Sequence, residues 1–133
     1  MEPVRYFLLK GKESFIDHVK SVNQLGYCYW SKAGNKKLNV GDICYLYLSG
    51  DGHNAVRYKL EVEDVNSPRL DEKCWIAPFR PSKSCYRLKP IGEYFGGDEL
   101  SKENLEEVGI SRYVQFMELF PHQVNYMDQF FEK

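Results

Sequence analysis

The pattern of apolar and polar positions is clearest in the middle of the chain. Apolar and aromatic residues run almost without interruption from Ile43 to Leu48, which predicts a strand covered on both faces and therefore central in a sheet. The six residues that follow, 49–54, all favour turns. From 56 to 63 apolar and charged residues alternate, which predicts a second strand with one buried and one wet face. The pair forms a hairpin, with Arg57 and Lys59 expected on its solvent face.

Weaker patterns on both sides of the hairpin predict the other elements. Before it, we expect a strand over 4–10 and a helix over 15–25, which Ser14 caps, Gly26 ends and His18 occupies on the wet side. After it, the patterns predict strands over 74–79, 85–89 and 111–120, a short helix between Ser101 and Gly109, and a final helix that begins at Pro121. Together these elements indicate an α+β fold: a small, curved, mostly antiparallel β-barrel with flanking helices, in a single domain over residues 1–133.

Composition and charge narrow the function classes only a little. The chain has ten tyrosines, eight phenylalanines and two tryptophans, and most of these rings are expected in the core. Its net charge of −1 gives no overall basic field, so strong nonspecific binding to duplex nucleic acid is not implied. Residues 1–92 have an excess of basic side chains, whereas residues 93–133 are acidic, which allows a basic patch on one face.

The residues that usually mark catalysis, metal binding or a membrane are not arranged in known patterns. Cys28, Cys44, Cys74 and Cys85 form no CxxC pair, so neither a metal nor a cofactor is predicted. There is no glycine-rich phosphate loop and no nucleophile elbow, and we expect no enzyme, although Cys28 or His53 leaves that alternative open. The lack of a signal peptide or long apolar stretch predicts a cytoplasmic protein with free thiols and no membrane partner.

Both tryptophans flank the central hairpin, and several short motifs accompany them in a fixed order. The segment Tyr27–Ser31 contains Trp30, and the segment Cys74–Ile76 contains Trp75. Between them come the pair Gly41-Asp42, the strand end Tyr47-Leu48-Ser49 and the pair Glu61-Val62. In this order the chain resembles the EVE domain, a member of the PUA-like superfamily that also contains the YTH domain.

The resemblance implies a non-catalytic module that binds nucleic acid, DNA or RNA, and accepts a modified, methylated base in an aromatic pocket. The ligand-binding positions it implies are Trp30, Ser31, Tyr47 and Ser49, with Trp75 as a second wall. The candidate phosphate contacts are Lys32, Lys36, Lys37, Arg57 and Lys59. The alternative is a protein-interaction or small-ligand module on the same scaffold, with the acidic segment from Glu93 as the surface for a protein partner. The base-binding hypothesis depends on whether Trp30 and Trp75 share one pocket.

Overall fold

The computed structural model describes residues 3–32, 37–50, 54–78, 84–111 and 116–131. Within these residues, six strands form one curled sheet in the order β2-β5-β4-β3-β1-β6. The strands are β1 (Tyr6–Lys12), β2 (Cys28–Ser31), β3 (Ile43–Ser49), β4 (Ala55–Ser67), β5 (Cys85–Glu93) and β6 (Phe116–Glu118). The helices are α1 (His18–Lys20), which continues as a π-helix over Ser21–Leu25, a 3₁₀ turn (Glu72–Cys74), α2 (Lys102–Glu107) and α3 (Pro121–Asp128). The α+β fold class is therefore confirmed.

The predicted central hairpin is confirmed. Strands β3 and β4 pair antiparallel, and β3 is buried along almost its whole length. Its other neighbour is β1, which runs parallel to it with Leu8 opposite Tyr45. The remaining strand pairs are antiparallel, so the half-barrel is mixed but mostly antiparallel, as expected.

Alternate residues of β1 and β3 face two different parts of the core. One cluster receives Phe7, Leu9, Cys44, Leu46 and Leu48, and Trp30 packs on its edge. The other cluster receives Leu8, Ile43, Tyr45 and Tyr47, together with apolar residues of α2 and α3. Because side chains alternate across a strand, Trp30 and Tyr47 lie on opposite faces of the sheet.

The first helix starts later than predicted, which changes the face it presents. Phe15 and Ile16 form a turn in which both backbone amides donate to the carbonyl of Lys12. The cap is Asp17, whose side chain accepts a hydrogen bond from the Lys20 amide at 3.0 Å, so the prediction of Ser14 as cap is wrong. His18 becomes the first helical residue and is only 3% exposed, so its expected place on the wet side is also wrong. Gly26 ends the segment as predicted, with φ +77°.

Two predicted strands in the second half of the chain also need correction. Residues 72–74 form the 3₁₀ turn instead of leading into a strand, and Trp75 makes a single β-bridge to Ile16. In the predicted strand over 111–120, only Phe116–Glu118 is extended within the described residues, and residues 112–115 lie outside them. The strand at Cys85 is confirmed and reaches Glu93, and α3 begins at Pro121 as expected. None of the helices in the described part of the chain is long and apolar enough to cross a membrane.

Candidate functional site

Both tryptophans line one cavity of about 320 Å³ at the edge of the sheet. The cavity opens where β1 ends and α1 begins, beside the last residues of β2. Its remaining walls come from Phe15, His18, Ser31 and Arg69, with Lys10, Gly11, Lys12 and Ile16 along β1 and the turn after it. The question that the sequence left open is answered: Trp30 and Trp75 share a pocket.

Backbone hydrogen bonds between distant segments bring the two indoles together. Trp30 is held in β2 by its pairing opposite Tyr86 of β5. Trp75 is placed by its bridge to Ile16, and the amide of Ile76 donates to the carbonyl of Phe15 at 2.8 Å. The amide of Asp17 donates to the carbonyl of Cys74 at 2.7 Å. The turn after β1 thus positions both Phe15 and Trp75.

A buried ion pair between Arg69 and Asp71 holds residues of the cavity wall in place. The guanidinium of Arg69 binds the Asp71 carboxylate through Nε at 3.0 Å and Nη2 at 3.4 Å, and the two side chains are only 3% and 1% exposed. Asp71 also accepts from the indole Nε1 of Trp75 at 3.1 Å. Arg69 lies over the Trp75 ring at 4.7 Å and donates to the Ser31 hydroxyl at 2.7 Å. The pair therefore fixes the orientation of two residues that line the cavity.

A second buried pair, Glu13–His18, contributes His18 to the cavity wall. The Nδ1 atom of His18 is 2.5 Å from Oε1 of Glu13, and both side chains are almost completely buried. The imidazole packs against the Trp30 ring, with centroids 6.0 Å apart. It also fills the place where a side chain at Gly11 would lie, since a Cβ there would be 2.6 Å from the His18 ring.

The structure brings together three of the five predicted ligand-binding residues. Trp30, Ser31 and Trp75 line the cavity. Tyr47 faces the other core cluster, where the ammonium of Lys10 lies 5.5 Å from its ring. Ser49 pairs with Lys12 at the end of β1, and its carbonyl accepts from the Glu13 amide at 3.0 Å. The roles given to Tyr47 and Ser49 stay predictions from the resemblance alone.

The candidate phosphate contacts are scattered, and the predicted solvent exposure on β4 is wrong for Arg57 and only partial for Lys59. Arg57 is 7% exposed and donates to the carbonyls of Tyr94 and Gly97, because the chain after β5 covers this face. Lys59 donates to Asp128 of α3 at 2.9 Å. Lys32 and Lys37 are exposed, whereas Lys36 lies outside the described residues.

Sequence reasoning missed most of the polar residues around the cavity. Glu13, His18, Arg69 and Asp71 are buried there as two pairs, yet each stands in a stretch that the sequence presents as a helix surface or a loop. The one available signal was the run of turn-forming and charged residues just before Trp75, which could have marked a segment that folds back on the pocket.

All four cysteines are buried and free, which bears on the catalytic alternative of Cys28, whereas His53, the other residue of that alternative, lies outside the described residues. Burial raises the pKa of the Cys28, Cys44, Cys74 and Cys85 thiols, so they remain protonated and weakly nucleophilic at neutral pH.

We expect iodoacetamide to label none of the four cysteines in the native protein at pH 7.5 and all four in urea, as counted by intact mass. A native thiol that reacts as fast as glutathione under the same conditions would instead support an enzyme based on that cysteine.

Within the described residues, no group of three or more His, Cys, Asp and Glu side chains is placed to hold a metal.

Solved structures with the same architecture identify the fold. No protein-family model and no curated protein matches the sequence. The crystal structure of the human THYN1 protein in complex with DNA containing 5-methylcytosine is similar to this chain at 10% identity and a TM-score of 0.62, covering 97% of this chain and 98% of that one. The Pho92 YTH domain in complex with m6A matches at 16% identity and a TM-score of 0.61, over 100% and 86% of the two chains. An ASCH protein from Zymomonas mobilis matches at 10% identity and a TM-score of 0.61, over 95% of each.

These similarities define a PUA-like fold of the kind found in EVE, YTH and ASCH domains. At this level the resemblance to EVE domains is confirmed. Because each identity is far below 25%, the similarity concerns the fold, and the site has to be argued from the residues of this chain.

Proposed function

We propose that this protein is a non-catalytic nucleic-acid reader that accepts one modified, methylated base between Trp30 and Trp75. The observation that carries the proposal is the single cavity of about 320 Å³ that both indoles line. A base that leaves the stack needs aromatic surfaces to replace those it loses. Stacking on such surfaces contributes about 1–3 kcal/mol per base.

The chemistry of the other walls also suits a nucleobase. Phe15 adds a third ring to the cavity, and Ser31, His18 and Arg69 add polar groups at its edges. A largely apolar pocket with a few placed polar groups is the usual form of a small-ligand site, and such sites have volumes of about 300–1,000 Å³. A methyl group on the base would increase its contact with these rings.

One lysine gives the pocket a local positive charge that the net charge of the chain conceals. Lys12 lines the cavity, and its ammonium lies 5.3 Å from the ring of Phe15, whereas the ammonium of Lys10 lies over Tyr47 on the other face of the sheet. The charge of Arg69 is balanced by Asp71. We assign a phosphate beside the bound base to Lys12, with the exposed Lys32 next to Ser31 as a second contact. Arg57 and Lys59, which are engaged elsewhere, have no part in this assignment.

Two proteins of the same fold support a methylated base as the ligand. The solved complexes hold DNA with 5-methylcytosine in human THYN1 and m6A in the Pho92 YTH domain. Both share the architecture of this chain at TM-scores of 0.62 and 0.61. The proposal therefore covers methylated cytosine and methylated adenine, in DNA or RNA.

The test is a titration of the two tryptophans by fluorescence. Short single-stranded and duplex oligonucleotides carry 5-methylcytosine, N6-methyladenine or the unmodified base, at low salt where phosphate contacts are strongest. We expect saturable quenching that prefers one methylated base over its unmodified partner. Unchanged fluorescence with every oligonucleotide would contradict the proposal and favour the protein-interaction alternative.

A further inference from the structure

We propose that Phe15 is a second stacking position, at the mouth of the cavity, for the base that neighbours the bound base in a single strand. This inference rests on the proposed function, because the neighbours of a base held between Trp30 and Trp75 are covalently linked to it and must lie near the mouth. Phe15 lines the cavity and is 52% exposed. The residue therefore belongs both to the wall and to the outer surface beside it.

The backbone of Phe15 is fixed although the residue is exposed. Its amide donates to the carbonyl of Lys12 at 3.0 Å, and its carbonyl accepts from the amides of Ile76 at 2.8 Å and Ala77 at 3.0 Å. A ring on a fixed backbone has little freedom left to lose when a ligand binds, so ordering it costs little. This arrangement suits a residue that contacts a ligand.

The exposed apolar surface at this edge of the cavity extends beyond one ring. Ile76, the backbone partner of Phe15, is 62% exposed. In the described part of the chain, Phe15 belongs to neither of the two core clusters, so core packing does not explain its place. Exposed apolar residues that adjoin one another mark interaction surfaces, whereas isolated ones are ordinary.

Lys12 lies over the Phe15 ring and is the group that a base would displace. Its ammonium is 5.3 Å from the ring centroid, and the lysine is exposed. A cation over an exposed ring is held weakly, so a base can take its place. The displaced ammonium then remains near the phosphate that joins the two nucleotides, which agrees with the phosphate contact assigned to Lys12.

The outer position should accept any unpaired base. Every base has an aromatic face, so stacking on a ring tolerates all sequences. In a duplex the neighbouring bases are already paired and stacked on each other, so the contact with Phe15 is available in a single strand. The site then holds two bases: a modified one in the cavity and a neighbour of any kind outside it.

Two short single strands make a matched pair for the test. Both carry one 5-methylcytosine or, in a parallel set, one N6-methyladenine. The nucleotides on either side are thymidines in one strand and abasic in the other, so the phosphates are the same in both. By tryptophan quenching, we expect the wild-type protein to bind the strand with flanking bases roughly 5- to 150-fold more tightly, as the stacking of one base predicts.

The variant Phe15→Ala should bind the two strands with similar affinity, because it offers the flanking base no ring. Since Phe15 also lines the cavity, the affinity for both strands can fall, and the ratio between them is the quantity that reports the outer position. Phe15→Tyr keeps the aromatic face and should keep most of the preference. Phe120→Ala removes an exposed ring outside the cavity and should keep all of it.

Each outcome decides one of the two proposals. A preference that is lost in Phe15→Ala and retained in Phe15→Tyr, with quenching in both, supports the outer stacking position. An unchanged ratio in Phe15→Ala, equal wild-type affinity for the two strands, or quenching by duplexes alone overturns that position and leaves the reader function in place. No quenching by any oligonucleotide contradicts the reader function itself.

Discussion

Replacing Trp30 by alanine is expected to weaken binding of the preferred oligonucleotide by roughly 5- to 150-fold, which corresponds to about 1–3 kcal/mol of lost stacking. The indole forms one wall of the cavity, and alanine offers the base no surface there. The remaining fluorescence from Trp75 still reports binding, so the affinity of the variant can be measured by the same titration. Fluorescence anisotropy of a labelled oligonucleotide gives an independent value.

The Trp30 variant needs controls because the ring also packs on the edge of the core. Trp30→Phe preserves an aromatic face and most of the packing, and we expect it to retain more affinity than alanine. Phe120→Ala removes a ring that is 62% exposed and lies outside the cavity, and its affinity should equal that of the wild type. Wild-type affinity in Trp30→Ala for every methylated and unmodified strand would show that the cavity is not the binding site.

The parts of the fold that the sequence predicts well depend on local patterns. The all-apolar run of β3 and the alternation in β4 report burial directly. Gly26 at φ +77° and Pro121 at the start of α3 are end signals that need no tertiary context. These features are sufficient for the central hairpin and for the α+β class.

The features that the sequence does not predict depend on contacts between distant segments. Trp75 reaches the cavity through its bridge to Ile16, which no local pattern encodes. Arg57 follows the alternation of β4, yet the segment around Tyr94 covers it. His18 moves to the buried side because Asp17, and not Ser14, caps the helix.

In the candidate site too, the sequence predicts some residues and misses others. The order of motifs around the hairpin singles out Trp30, Ser31 and Trp75, which do share a cavity. Because side chains alternate along β3, Tyr47 lies on the opposite face of the sheet from Trp30. The sequence does not show on which face Trp30 packs, so it does not separate Tyr47 from the pocket. The buried pairs that hold the pocket are invisible to sequence reasoning, because charged residues in a loop or on a helix are usually solvated.

The Arg69–Asp71 pair should be the most sensitive polar contact for folding. We expect Asp71→Ala to lower the free energy of unfolding by about 3–5 kcal/mol, since the guanidinium would remain buried without its counter-charge. The loss is a large part of the total stability of about 5–15 kcal/mol that is usual for a domain. Urea denaturation followed by circular dichroism measures the change. Glu63→Ala, which breaks a half-exposed pair with Arg87, is the matched control and should cost only a small fraction of that amount.

A double variant separates the stability of the pair from its role in the pocket. Arg69→Met with Asp71→Leu removes both charges, and apolar replacement of a buried pair often restores stability. It also removes the donor to the Ser31 hydroxyl and the acceptor for the Trp75 indole, so the wall of the cavity loses its orientation. We therefore expect a folded protein that binds the preferred oligonucleotide at least tenfold more weakly than the wild type. Wild-type binding in the double variant would mean that packing alone positions Trp75, and wild-type stability in Asp71→Ala would mean that water reaches the guanidinium.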